Sequence, residues 1–250
     1  MQTRIKTAQE IVAMRESGRM LATVLKQLGD FIGPGMSTKD IAEQAKEELR
    51  KLGGQPTFLG YQGFPDVICV SVNDEIVHGI PRQDHEIKSG DIVGIDFGVT
   101  YRGMITDSAV TIIVGQVPQA VNKLVKTTSE ALDAGIDQIK DGVRVGDISS
   151  AIQKVLDRES LGIIRELVGH GVGHELHEEP NIPNYGHRGS GPILRSGTTI
   201  AIEPMATLGG HGIKTDKDNW TIRTVDGSLA AHFEHTVLVT DEGFEVLTSL

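Results

Sequence analysis

The chain of 250 residues has a single cysteine, Cys69, which excludes an intramolecular disulfide and any metal cage built from thiolates. No apolar run reaches membrane-spanning length, and the start, Met1-Gln2-Thr3-Arg4-Ile5-Lys6, lacks the apolar core of a signal peptide. The cytoplasm is therefore the expected compartment, with no membrane partner. No Pro/Ser-rich linker, charge block or low-complexity stretch divides the sequence, which favours a single domain over residues 1–250. Basic residues are in deficit: 24 Lys and Arg against 34 Asp and Glu give a net charge of −10, so no attraction to nucleic acid or anionic lipid is expected. The remaining composition, 38% hydrophobic and 23% charged, suits a globule that buries a sizeable core.

Within the apolar stretches stand carboxylates that an ordinary core would not tolerate. Asp96 closes Ile92-Val93-Gly94-Ile95-Asp96-Phe97, and Glu203 closes Thr199-Ile200-Ala201-Ile202-Glu203-Pro204. Asp107 precedes Val110-Thr111-Ile112-Ile113-Val114, and Glu234 precedes Thr236-Val237-Leu238-Val239. Buried and unpaired, each acid is costly, and four together would repel one another and take up protons. One or two divalent cations remove the difficulty.

The same acids expose a repeat. Gly90 to Asp96 and Gly197 to Glu203 each place a carboxylate six residues after a turn glycine. Each is followed by a second acid opening another strand, 11 residues on in one case and 31 in the other. Two similar halves, roughly 60–150 and 151–250 behind N-terminal helices in 1–59, are expected to face one shared site.

The coarse pattern alternates helices and strands. Thr7-Ala8-Gln9-Glu10 has capping-box spacing ahead of Ile11, Met14, Leu21, Val24, Leu25 and Leu28, predicting a helix that ends near Gly33-Pro34-Gly35. Ser37 or Thr38 starts a second helix through Leu49, stopped by Gly53-Gly54. Strands are expected at about 66–72 and from Ile92 to Val114 with a turn at Tyr101-Arg102-Gly103. Further helices span about Pro118 to Lys140 and Asp147 to Leu161, and strands return in the last third. Helices in one place and antiparallel strands in another predict an α+β fold in preference to a parallel Rossmann-type sheet.

His170 lies in Gly169-His170-Gly171-Val172-Gly173-His174, where glycines let backbone pass close to a site. A phosphate loop is discounted, because no Lys-Ser/Thr pair and no helix start follows. His174-Glu175-Leu176-His177 places its histidines three apart, not at the spacing of the helical zinc motif.

The ligand order Asp96, Asp107, His170, Glu203, Glu234, together with Gly-His-Gly-Val-Gly at 169–173, Ile-Glu-Pro-Met at 202–205 and Glu-His-Thr at 234–236, resembles the type I methionine aminopeptidases over nearly the whole chain. The resemblance implies a pita-bread fold: a curved antiparallel sheet of two pseudo-symmetric halves with helices on the outer face. Type I is expected because no long extension precedes Thr7 and only 25 residues separate His177 from Glu203.

The resemblance further implies two divalent metal ions (Co, Mn, Fe or Zn). Asp96 would bind one through both oxygens, Asp107 and Glu234 would bridge the two, and His170 and Glu203 would complete the second. Glu203 would also carry protons, His177 would stabilise the tetrahedral oxyanion and His78 would contact the peptide nitrogen. Phe58, Tyr61, Phe64, Cys69, Leu176 and Trp220 match pocket-wall positions for a methionine side chain. Leu176 stands where Phe is frequent, Phe58 where a small residue is common, and Ile105-Thr106 where a His-Gly pair is often seen. His232 is a candidate to support the ligands. The implied activity is removal of the initiator methionine when the second residue is small, by a monomer acting on N-terminal peptides of newly made proteins, with room for ribosome association. An Xaa-Pro peptidase is the runner-up, and a non-catalytic RNA- or protein-binding module is the reading from another class.

Overall fold

Local signals place the four helices of the described part of this computed structural model, which covers residues 4–250. Residues 1–3, which head both the segment without a signal-peptide core and the 1–59 region, lie outside the described residues. Helix α1 (Ala8–Phe31) is closed by Thr7, whose hydroxyl accepts the Glu10 N–H at 3.3 Å while the Glu10 carboxylate accepts the Thr7 N–H at 2.7 Å. Helix α2 (Thr38–Leu52) uses Ser37 and Asp40 in the same way and stops at Gly53, whose φ of 82° suits glycine. Helix α3 (Gln119–Ile136) follows Pro118 and ends four residues before Lys140. There the N–H groups of Gln138 and Ile139 turn back to carbonyls only three residues earlier, which tightens the chain and buries Ile139. Helix α4 (Val145–Arg158) begins two residues before Asp147. That carboxylate accepts the Arg144 N–H at 3.1 Å, so the acid caps from inside the first turn.

The first strands are β1 (Gln55–Pro56), β2 (Cys69–Val72), β3 (Glu75–Val77) and the long hairpin β4 (Ile92–Tyr101) and β5 (Met104–Ile113). After α4 come β6 (Gly162–Ile163), β7 (Gly169–Gly171), β8 (Glu178–Ile182), β9 (Thr199–Ile202), β10 (Met205–Thr207), β11 (Ile213–Thr215), β12 (Ile222–Thr224), β13 (Ala230–His232), β14 (His235–Val239) and β15 (Phe244–Val246). All described ladders are antiparallel. One sheet holds β4 between β2 and β5; another runs β15-β14-β9-β7-β8. A backbone bridge, Ala109 to Glu234, ties β5 to the start of β14.

Helices α1 and α2 cover β2 and β4 through Leu21, Leu28, Ile41, Leu49, Ile95 and Phe97, while α3 and α4 cover β9 and β14 through Leu124, Ile148, Ile152, Ile200 and Val237. Each such fully buried side chain stabilises the fold by about 1.5–3 kcal/mol relative to exposure. The acids therefore sit on the sheet faces turned towards one another. The hairpin β11–β12 pairs with β3, an exchange across the molecule that brings the turn carrying Trp220 over the residues after β3. The fold is α+β as expected, and no helix among the described residues is long and apolar enough to cross a membrane.

Candidate metal centre and active site

Register decides where the acids point. On β4, Asp96 lies opposite Cys69 of β2 and Ala109 of β5, and Asp107 lies opposite Gly98. Glu203 follows β9 and Glu234 precedes β14, strands that pair with each other. Asp107 and Glu234 are locked together by backbone. Thr236 Oγ1 accepts the Asp107 N–H at 2.9 Å and donates to its carbonyl at 2.8 Å, Ser108 Oγ donates to the Glu234 carbonyl at 2.6 Å, and Ala109 and Glu234 exchange N–H bonds of 3.3 and 2.9 Å.

His170 arrives on β7, threaded between β8 and β9. A Cβ at Gly169 would collide with the Ala201 carbonyl oxygen, so the glycine next to the ligand is required by close approach. His170 Nδ1 donates to the Gly171 carbonyl at 3.0 Å, which leaves Nε2 bare, 3.4 Å from Glu203 Oε1. An imidazole held in that tautomer has the free nitrogen a metal ligand needs. Ligand atoms of Asp107, His170 and Glu234 lie within 4.8 Å of one another.

The electrostatics are those of a cation site. Asp96, Asp107, His170 and Glu234 are buried to between 2% and 8% exposure. Burial pushes the Asp107 carboxyl up to about 7, against the Ser108 N–H that lowers it. It pushes Asp96, Glu203 and Glu234 well above the carboxylate range, with Asp107 adding repulsion to each. Burial holds His170 down at about 3, with His177 contributing. The buried oxygens Asp96 Oδ1 and Glu234 Oε1 have no hydrogen-bond partner among the described residues. Buried acceptors without donors, crowded by like charges, fit a divalent metal.

Around the acids lies a cavity of about 190 Å³, below the roughly 300–1,000 Å³ of pockets for drug-sized ligands. It brings together the five candidate ligands, His78, His177 and all six candidate wall residues, Phe58, Tyr61, Phe64, Cys69, Leu176 and Trp220. Phe64 meets Trp220 edge-on at 5.2 Å and Phe58 at 6.5 Å. His78 has φ 59°, a left-handed conformation that costs a non-glycine residue energy and is concentrated at functional sites. Burial holds it down at about 4, and it faces Trp220 edge-on. The His177 and His170 ring centres are 4.3 Å apart, and Tyr61 Oη is 2.7 Å from His177 Nδ1. Partial desolvation lowers the His177 pKa too, although the side chain stands exposed at the cavity mouth.

His232 is buried with its backbone fastened to Thr111 Oγ1, while Nε2 stands 3.9 Å from Glu203 and 4.0 Å from Glu234 without a partner. The unusual Ile105-Thr106 pair faces two ways. Ile105 packs beside the wall cluster and donates its N–H to the Gly173 carbonyl at 2.8 Å, whereas Thr106 Oγ1 bonds Ser17 of α1. The sequence reading missed Gln62, Val77, Leu167, Val168 and Met205, which also line the cavity. Met205 could have been found from its place beside Glu203 in Ile-Glu-Pro-Met. Leu167 and Val168, like Val77 beside His78, look like ordinary core residues.

A buried acid and imidazole cluster opening into an apolar cavity defines a metal-dependent hydrolase. A family model described as metallopeptidase family M24 matches residues 12–241, and the chain belongs to the methionine aminopeptidases of that family. It is 46% identical to methionine aminopeptidase 1 of Bacillus subtilis over 97% of this chain and 98% of that protein. The solved structure of methionine aminopeptidase from Thermotoga maritima superposes with a TM-score of 0.98 at 45% identity, covering 100% of both chains. Prolidase from Pyrococcus furiosus, at 23% identity and a TM-score of 0.80 over 98% of this chain and 65% of that one, shares the pita-bread fold.

Proposed function

We propose that this enzyme removes the N-terminal methionine of newly made proteins whose second residue is small. The observation that supports it best is one small cavity with buried, unpartnered carboxylate oxygens at one end and apolar and aromatic walls at the other.

Asp96, Asp107, His170, Glu203 and Glu234 would hold two divalent metal ions. When bound, such ions acidify water and polarise the scissile carbonyl. The chain's own groups do the rest. Glu203, a buried carboxylate, takes a proton from the attacking water and passes it to the leaving amine nitrogen. His177 donates to the carbonyl oxygen as negative charge gathers there, and His78 steadies the peptide nitrogen. Tyr61, Phe64, Cys69, Leu176 and Trp220 surround the methionine thioether, which is held by burial and dispersion. His232, with Nε2 3.9 Å from Glu203 and 4.0 Å from Glu234, would support both carboxylates once they hold metal. The working form is a cytoplasmic monomer that meets N-termini as they leave the ribosome.

The purified protein with a defined divalent metal, offered Met-Ala-Ser, Leu-Ala-Ser and Ala-Pro peptides, should cleave only the first. Chelation should abolish turnover and Mn, Fe or Co restore it. Activity that survives exhaustive chelation sinks the metal mechanism, and hydrolysis of Ala-Pro instead of Met-Ala-Ser makes the enzyme an Xaa-Pro peptidase.

A further inference from the structure

The Tyr61 ring suffices to wall an apolar pocket, yet its hydroxyl is aimed at the Nδ1 of His177, 2.7 Å away, its one hydrogen-bond partner among the described residues. The loop that carries it is built to a fixed shape. Gly60, Gln62 and Gly63 have φ of 82°, 48° and 89°, and Gln62 has no glycine's freedom to adopt that conformation cheaply. The loop closes on itself through Tyr61 N–H to Phe58 O, Phe64 N–H to Tyr61 O and Gly60 N–H to Phe64 O, each 2.9 Å. Such a frame sets where the hydroxyl lies, beyond what a flat wall requires.

A neutral imidazole carries one donor and one acceptor nitrogen, and whatever binds one nitrogen decides the state of the other. Two imidazoles stand side by side here with opposite partners at Nδ1. His170 meets the Gly171 carbonyl, a pure acceptor, so its Nδ1 keeps the proton and Nε2 is bare. His177 meets a phenol, which unlike a carbonyl can donate to it. We infer that Tyr61 is a positioning residue: its O–H donates to His177 Nδ1, fixes the Nε2–H tautomer and so supplies the proton that His177 offers to the carbonyl oxygen of the substrate. One hydroxyl and one carbonyl thereby give adjacent rings contrary tasks, donor at His177 and ligand at His170. This rests on the reading that His177 serves the carbonyl oxygen, and it adds what makes that possible.

The test combines a spectrum with kinetics. ¹⁵N-histidine labelling of the full chain, metal-free and with diamagnetic zinc, with His177 assigned by its loss in His177→Gln, should show a pyridine-type Nδ1 and a pyrrole-type Nε2. In Tyr61→Phe, which keeps the ring, both resonances should shift towards the tautomer average. With Met-Ala-Ser its kcat should fall roughly 2- to 12-fold, the equilibrium equivalent of one neutral hydrogen bond, with KM within about twofold. Tyr61→Leu, which removes the wall, should raise KM as well. A pyrrole-type Nδ1 in the unmodified enzyme, or a Tyr61→Phe variant with unchanged spectrum and kcat, overturns the inference. An unchanged kcat in His177→Ala overturns the underlying role of His177 instead, and the spectrum separates the two failures.

Discussion

Removing the metal should make stability fall with pH in a way that a single substitution can largely reduce. The Asp107 carboxyl lies at about 7 in the folded, metal-free protein against an ordinary 3.8, so the folded state binds a proton that the unfolded chain has released. A group raised in this way contributes stability that is fully present below pH 3.8 and is lost as pH climbs through about 7. About three units at about 1.4 kcal/mol each gives about 4 kcal/mol, equivalent to about 8–16 °C in Tm for a chain of this size. Overall repulsion from the net charge of −10 adds a slope of its own, so the control is Asp107→Asn. Without metal, this variant should lose much of the wild-type slope and melt higher than wild type at about pH 8, because Asp107 also repels Asp96, Glu203 and Glu234. With Mn present the order should reverse, since only the wild type has its full ligand set. Scanning calorimetry from about pH 4 to 8, with and without metal, provides the comparison. Parallel metal-free curves for the two proteins would refute the reasoning.

Three further outcomes are expected. His177→Ala should lower kcat by roughly 10²–10³-fold with metal content unchanged by elemental analysis, by analogy with the loss of one oxyanion donor; an emptied site would mark His177 as a ligand. Phe58→Cys should relax the second-position preference in kcat/KM across a Met-Xaa series and leave the methionine requirement intact, and coincident profiles would return Phe58 to the role of a core aromatic. Lys6→Met should cost about 3–5 kcal/mol in denaturant unfolding, because Lys6 Nζ and Glu178 Oε2 pair at 2.7 Å with side chains only 0% and 5% exposed. A loss below about 1 kcal/mol would show that Glu178 is well served by its bonds from the His174 and Glu175 N–H groups.

The acids that line the cavity stood out in the sequence because each breaks a rule of its surroundings: a carboxylate ending an apolar strand has no cheap explanation. The first two helix starts were legible for a local reason, since Thr7, Ser37 and their N3 acids bond within one turn. The start of α4 was displaced because Asp147 also reads as a first cap, and only its bond back to Arg144 shows it acting from within. Cavity residues such as Leu167 and Val168 carry no local signal, since their place depends on chain segments far away in sequence. The partition of the repeat is of the same kind. Sequence alone put its seam near 150, inside what folds as α4, where α3 and α4 share one buried cluster with residues of β9 and β14.

Asp96 and Asp107 precede that seam, whereas His170, Glu203 and Glu234 follow it, and β12 reaches back across it to β3. Neither part alone can assemble the ligand set or the cavity rim. A cut in the exposed turn at Gly115-Gln116 would therefore make catalysis a second-order property. Turnover and melting temperature would both depend on fragment concentration, and metal would lower the dissociation constant of the two pieces, acting as glue between polypeptides and not only as a reagent.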